Sequence, residues 1–355
     1  MPETMVPQGQ TTPPLLQAVK LTKHFRLGGM FSRRYLHALD DVDITIGRQE
    51  IVALVGESGS GKSTMARLLA TIYRPTAGTI LYEGRPLGSL RSRKDILEYR
   101  GRVPMVFQDP YSSLNPVFRV SHGVMRFLKL HRPELSRDQS RDEARRVFTA
   151  VGLQPAEDFL RKFPYEMSGG QRQRVGFAQA LALRPKVILA DEPVSMLDVS
   201  IRAGILNLMV DLRRREGVSC LYITHDIASA RYVADRIIVL YAGHVVESGP
   251  SEEVLSSPRH PYTQLLLSAV PDPRAPLAVA SDADVGEPPR VIDPGVGCRF
   301  RFRCPIAVER CSVETPLPHA VGIGHEAACH LAEPVGSSPE ARPGYSWRNP
   351  VRAPA

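Results

Sequence analysis

Apolar positions along the chain fall into short runs and stripes rather than one long block. Ile51–Val55 and Val187–Ala190 are apolar without a break. Runs of that length fit strands buried on both faces, as in a parallel sheet. Cys220–Thr224 and Ile237–Tyr241 read the same way. Further short strands are predicted from Leu16 onward, over Asp43–Ile46 before a turn at Gly47, over Thr79–Tyr82, and over His244–Glu247 after a turn at Ala242–Gly243. Helical spacing is predicted from Gly61 to about Ile72, over Arg202–Arg215 and over Ile227–Ala234. Between 112 and 182 it dominates, in Val124–Leu130 and Glu143–Val151. The alternation predicts an α/β fold, a mostly parallel sheet covered by helices, with an inserted helical subdomain.

The domain reading follows from the breaks in this rhythm. Residues 1–14, rich in Pro, Gln and Thr, are expected to be a disordered tail. A core is expected over 15–270, a proline-rich linker over 271–297, a Cys-rich unit over 298–335 and a flexible tail over 336–355. The whole chain of 355 residues is long enough for about two domains.

Composition removes several classes. With 43% hydrophobic and 23% charged residues the chain is not collagen-like, disordered or a coiled coil. No apolar run reaches the ~18 residues of a membrane span, and the N-terminus carries no secretory signal, so the chain is expected inside the cell. The net charge of +8 is spread widely, and aromatics make up only 6% of residues. Without a basic tail or interleaved aromatics, nucleic acid is not an expected partner.

The first chemistry lies between the Ile51–Val55 strand and the helix after it. Gly56-Glu57-Ser58-Gly59-Ser60-Gly61-Lys62-Ser63, followed by Thr64, fits the phosphate-loop pattern. Its glycines let successive backbone N–H groups turn toward phosphate oxygens, and the helix N-terminus adds a favourable dipole. Lys62 would charge-pair with the β- and γ-phosphates, and the Ser63 hydroxyl would ligate Mg²⁺. A second apolar strand delivers Asp191 and Glu192 at its C-terminal end, where ligands bind in open α/β sheets. Asp191 would hold Mg²⁺ through water, and Glu192 would polarise the attacking water. Ser168-Gly169-Gly170-Gln171 opens another helix, a second anion-binding geometry. One nucleotide does not need two such cradles, so the second is expected to serve the nucleotide of a partner subunit.

These motifs, in this order, resemble the ATP-binding subunit of ABC transporters over about residues 16–270. The resemblance implies a P-loop NTPase fold with an antiparallel β subdomain and a helical subdomain. It makes Gly56–Ser63 the Walker A loop, Asp191 and Glu192 the end of Walker B, and Met167–Gln171 the signature motif, with Met167 where Leu is commoner. It also makes Gln108 the Q-loop glutamine and a further Mg²⁺ ligand, Asp198 the D-loop aspartate in a loop where Met196 replaces the usual Ala, and His225 the switch histidine. Phe25 would stack on adenine, with Tyr35 as the alternative. Glu192, His225, Lys62 and Gln108 form the expected catalytic set.

Local segments resemble the oligopeptide/dipeptide/nickel importer branch: Val106–Pro116, Asp191–Ser200 and His260–Pro271. Gly169–Val175 with Glu192–Ser195 resembles the second of the two ATPases such importers carry. The implied partners are a different, homologous ATPase subunit, two transmembrane permease subunits and, indirectly, an extracytoplasmic binding protein. The implied place is the cytoplasmic face of the membrane, with Tyr111–Val120 against a permease. Peptide is the implied cargo. Nickel or oligosaccharide import, a non-transport ABC ATPase, and a redox-sensing module remain as alternatives.

Four of the five cysteines cluster as Cys298, Cys304, Cys311 and Cys329, spaced C-x5-C-x6-C-x17-C. Thiolates in this number suit tetrahedral Zn²⁺ or a [4Fe–4S] cluster. The tight knuckles of structural zinc are missing, which favours the cluster. Unmetallated thiols or a disulfide are the remaining reading. Arg299, Arg301 and Arg303 are expected to offset the thiolate charge, His325 and His330 are alternative ligands, and Cys220 is expected to be buried and inert. Cys298–Pro305 resembles the C-terminal extension of the same importer branch.

Overall fold

The computed structural model describes residues 13–28, 33–109, 114–270 and 291–333. The tails expected at 1–14 and 336–355 and the linker expected at 271–297 therefore lie wholly or largely outside the described residues. So does part of the Tyr111–Val120 segment.

The strands run in chain order β1 (Leu16–Leu27), β2 (Arg34–Ile46), β3 (Ile51–Val55), β4 (Ala77–Tyr82), β5 (Arg85–Pro86), β6 (Met105–Val106), β7 (Val187–Asp191), β8 (Ser219–Thr224), β9 (Arg236–Tyr241), β10 (His244–Pro250), β11 (His319–Gly322) and β12 (His325–Ala327). Strands β2-β1-β4-β5 form an antiparallel sheet, and the other eight form the main sheet in the order β11-β12-β10-β9-β3-β8-β7-β6. From β9 to β6 the main sheet is parallel.

The doubly buried strands are where the pattern puts them. Every residue of β3, β7 and β8 is buried. Alternate side chains feed two different cores. Ile51, Ala53 and Val55 join one, with Ile188, Ala190 and Tyr222. Val52 and Leu54 join the other, with Leu189, Leu221 and Met65 of the Lys62–Leu69 helix. Burial on both faces removes the polar alternation that a half-exposed strand shows. The strands expected either side of Gly47 part company: β2 stays in the small sheet and β3 enters the main one.

The region expected to be helical holds the helices Val120–His131, Arg137–Ala150, Ala156–Arg161 and Gly169–Ala182. The second starts at a Ser136/Gln139 capping box, which satisfies two otherwise unpaired backbone donors. Val124, Leu128, Val147, Phe148 and Val175 join these helices to the larger core.

The C-terminal extension, which holds the four clustered cysteines, joins the main sheet. β12 pairs antiparallel with β10, and β11 pairs with β12, so the extension widens the main sheet. Buried His325 Nε2 sits 2.8 Å from Glu247 Oε1. Residues 291–293, expected to be linker, pair with β2: the His37 N–H donates to the Val291 carbonyl at 2.8 Å, and the Asp293 N–H to the Tyr35 carbonyl at 3.0 Å. Among the described residues no helix is long and apolar enough to cross a membrane.

Candidate active site

The loop after β3 closes on itself because its glycines meet backbone. A Cβ at Gly56 would lie 2.1 Å from the Leu240 carbonyl oxygen, and one at Gly61 2.4 Å from that of Ala38. Gly61 caps the Lys62–Leu69 helix with φ at 109°, a left-handed conformation that only glycine adopts cheaply. Lys62 is buried, and its ammonium donates to the Gly56 and Glu57 carbonyls at 2.7 and 2.8 Å. Burial lowers its pKa, while Glu192, Asp191 and Glu57 oppose that shift.

β7 brings its carboxylates to this loop. The Ser63 hydroxyl donates to Asp191 Oδ1 at 3.0 Å. Burial raises the Asp191 pKa, against the pull of the Ser63 bond. Glu192 follows with φ at +46°, an unusual backbone for a side chain of its size. That turn sends its carboxylate elsewhere. Glu192 Oε2 accepts from Gln108 Nε2 at 3.1 Å and lies 3.3 Å from His225 Nδ1. The Ser195 hydroxyl holds the Glu192 carbonyl at 3.0 Å. Three residues far apart in the chain thus meet at one carboxylate.

The second cradle stands apart. Ser168 caps the Gly169–Ala182 helix in a reciprocal box with Gln171. Gly170 fits under Ile201, since a Cβ there would lie 2.3 Å from Ile201 Cγ2. Exposed Asp198 sits at the N-cap position of the Val199–Glu216 helix, with no capping bond from its side chain. Among the described residues no hydrogen bond joins Ser168–Gln171 to Lys62, Ser63, Asp191 or Glu192. The expected adenine platform, Phe25, is half-buried, edge-on to Tyr73 at 5.4 Å, with the Lys23 ammonium 5.0 Å from its ring centre. Tyr35 is 41% exposed.

Glu57, expected in the phosphate-binding loop, is engaged by protein at every polar group. Its N–H donates to Tyr262 Oη at 2.8 Å, and its carboxylate takes Arg303 in a two-pronged pair at 2.7 and 2.9 Å. All three of its polar groups face protein, so Glu57 anchors the loop. Tyr262 and Arg303 were not singled out for this site. The only sequence signal was the alternation Arg-Phe-Arg-Phe-Arg between Cys298 and Cys304.

The arginines of the same loop have partners of their own. Arg299 bonds Asp40 and the Ala242 carbonyl, and Arg303 bonds Glu57. Arg301 lies 4.3 Å from the ring centre of Phe302. Asp40 also receives His24 and His37, whose rings are 3.8 Å apart. Burial alone would raise Asp40, but the bonds from His24, Arg299 and His37 hold its carboxyl at about 2. Arg299 and Arg303 thus pair with carboxylates of the ATPase core.

All four cysteines of the extension are free thiols near one another. The Cys298 N–H donates to the Cys311 carbonyl at 2.8 Å. Burial raises Cys304 to about 11, and its three neighbouring cysteines add to that. His325 Nε2 pairs with the Glu247 carboxylate and His330 Nε2 with the Glu314 carbonyl. Cys220 is buried, as expected, with its thiol pushed up to about 12.

Two family models match the chain: the ABC transporter over residues 39–195 and the oligopeptide/dipeptide transporter C-terminal region over residues 246–311. The chain is 43% identical to the probable peptide ABC transporter ATP-binding protein y4tS of Sinorhizobium fredii, over 91% of this chain and 92% of that one. It is 40% identical to the oligopeptide transport ATP-binding protein OppF of Salmonella typhimurium, over 84% and 89%. Among solved structures it resembles cbiO1 of Clostridium perfringens, with a TM-score of 0.60 at 28% identity over 69% of this chain and 91% of that one. It also resembles the dimeric ATP-binding cassette MJ0796 bound to ADP and Pi, with a TM-score of 0.58 at 30% identity over 66% and 98%.

Proposed function

Since this chain belongs to the peptide-import ATP-binding subunits of the ABC transporter family, we propose how its residues divide the work of driving uptake. The protein binds and hydrolyses ATP and so energises peptide import. The observation that carries the catalytic assignment is the meeting of Gln108 and His225 on Glu192, next to the Ser63–Asp191 pair.

The triphosphate sits at the N-terminus of the Lys62–Leu69 helix, where N–H groups and the helix dipole favour anions. The Lys62 ammonium leaves the Gly56 and Glu57 carbonyls and moves to the phosphates. Ser63, Asp191 and Gln108 offer oxygens, a donor set that fits the hard cation Mg²⁺. When bound, Mg²⁺ offsets charge on the β- and γ-oxygens. Glu192 takes the proton of the attacking water, while Gln108 and His225 fix the direction of that water. Phe25 supplies the adenine platform.

Two ATPase chains meet head to tail. Ser168 and the amides of Gly169 and Gly170, with Gln171, cover the γ-phosphate held by the partner, and Asp198 lines the joint. Among the described residues no hydrogen bond ties this loop to its own chain's phosphate site, which supports that role. The partner is a homologous but different ATPase subunit. Exposed Phe107, Val117, Phe118 and Tyr165 offer an apolar docking surface for the permease subunits. That contact holds the chain peripherally at the cytoplasmic face, and a binding protein delivers cargo on the other side.

The four cysteines hold a [4Fe–4S] cluster. The four free thiols neighbour one another but carry wide, irregular sequence spacing without the tight knuckles of structural zinc, which supports a cubane. The cluster, when bound, would supply a redox centre or a staple for the extension.

Glu192→Gln tests the assignment in the importer reconstituted with its permeases. Expected are retained MgATP binding and turnover reduced at least about 100-fold. Turnover near wild type would remove Glu192 as the base.

A further inference from the structure

Glu57 is held at every polar group it has. Its N–H meets Tyr262, its carbonyl takes the Lys62 ammonium, and its carboxylate takes Arg303. The Arg303 fork is the strongest of these, a bidentate charge pair. It is also well enclosed: the side chains of Arg303 and Glu57 are 10% and 26% exposed. Arg303 in turn is wedged by aromatics. Its guanidinium lies 5.7 Å from the Tyr241 ring centre and 5.9 Å from that of Phe300. Phe300 is buried between Tyr241, Tyr262 and His260, so the loop that carries Arg303 cannot drift. Four residues back, Arg299 grips the Ala242 carbonyl and Asp40. Gly243, next to Ala242, donates to the Ser60 carbonyl at 2.9 Å. The Cys298–Cys304 loop therefore braces the phosphate loop at both ends, at Glu57 and beside Ser60.

We propose that Arg303 is a positioning residue for the ATP reaction: it fixes the phosphate loop through Glu57, which makes the C-terminal extension a working part of the nucleotide site. Arg303 touches no phosphate. It acts by keeping the Gly56–Glu57 turn in place, so the Lys62 ammonium and the loop amides face one fixed position. Small displacements of such groups are costly, because phosphate binding here depends on several donors acting together. The proposal rests on the reading of Gly56–Ser63 as the ATP site.

The test separates positioning from mere charge balance. If Arg303 only neutralised Glu57, then Glu57→Gln would remove a negative charge near the triphosphate and lower the KM for ATP. Positioning predicts the opposite sign. MgATP hydrolysis is assayed in the assembled importer, and thermal stability on the full-length chain without nucleotide. Arg303→Ala and Glu57→Gln should each raise KM about tenfold with kcat within about twofold. The double variant should be no worse than either single one, because both break the same contact. Arg303→Lys should recover part of the loss, since it restores charge without the fork. Glu314→Gln, which breaks an exposed Arg–Glu pair in the same extension, should leave the kinetics unchanged.

A wild-type KM in folded Arg303→Ala, a lowered KM in Glu57→Gln, or additive effects would each overturn the proposal. Should Arg303→Ala not fold, Glu57→Gln alone still decides by the sign of its effect. Lys62→Ala is the control for the underlying reading. If it binds nucleotide normally, the site itself is misassigned; if it loses nucleotide while Arg303→Ala does not, only the positioning role falls.

Discussion

The Ser63 hydroxyl donates to Asp191 Oδ1 at 3.0 Å, joining the start of the phosphate-loop helix to the end of β7. The bond places a hydroxyl and a carboxylate where one divalent cation can use both. Ser63→Ala and Asp191→Asn should each cut kcat/KM for MgATP at least about 100-fold. Binding of ATP in excess chelator should change far less. Titrations with and without Mg²⁺ check this, and equal losses in both would show that the pair has a structural role only.

Much of this site was legible because its parts are contiguous in sequence. The phosphate loop, the Asp191–Glu192 pair and the Ser168–Gln171 turn each follow or open a regular element within a few residues. β3, β7 and β8 were legible because burial on both faces leaves uninterrupted apolar runs. What escaped depends on distant pairing. Nothing local to Glu57 announces Arg303, and nothing local to Glu247 announces His325. β11 and β12 span only four and three residues, too few for a strand pattern to stand out in sequence, so their addition to the main sheet was hidden. The left-handed turn at Glu192 was hidden too. It falls just past β7, where the Glu192 N–H still donates to the Ile223 carbonyl of β8 at 3.0 Å.

Buried His260 gives the fold a pH dependence. Its Nδ1 accepts the Tyr262 N–H at 3.0 Å, and burial lowers its pKa to about 3. Above pH ~6.5 the imidazole is neutral in both folded and unfolded chains and contributes nothing to pH dependence. Below that, the unfolded chain takes up a proton that the folded chain refuses until pH falls to about 3. Stability is therefore lost as pH falls, by about 2 kcal/mol between pH 7 and 5. His260→Asn keeps an acceptor for Tyr262 but cannot titrate, and should show a shallower loss over that interval. Urea unfolding at both pH values measures it; identical slopes for the two proteins would count against a buried neutral imidazole.

The proposed cluster at the four thiols has a definite metal content. Protein purified without oxygen should carry about four irons and four acid-labile sulfides per chain. Cys304→Ser should lower that content. One zinc per chain and no sulfide would replace the cluster with a structural clasp.

The central claim is that ATP turnover at this site drives peptide uptake. The most direct measurement is accumulation of a labelled peptide in proteoliposomes holding the whole importer, with MgATP supplied on the side of the ATPases. Wild-type chain should give uptake that stops when Lys62→Ala replaces it. Uptake that continues with Lys62→Ala would contradict the account.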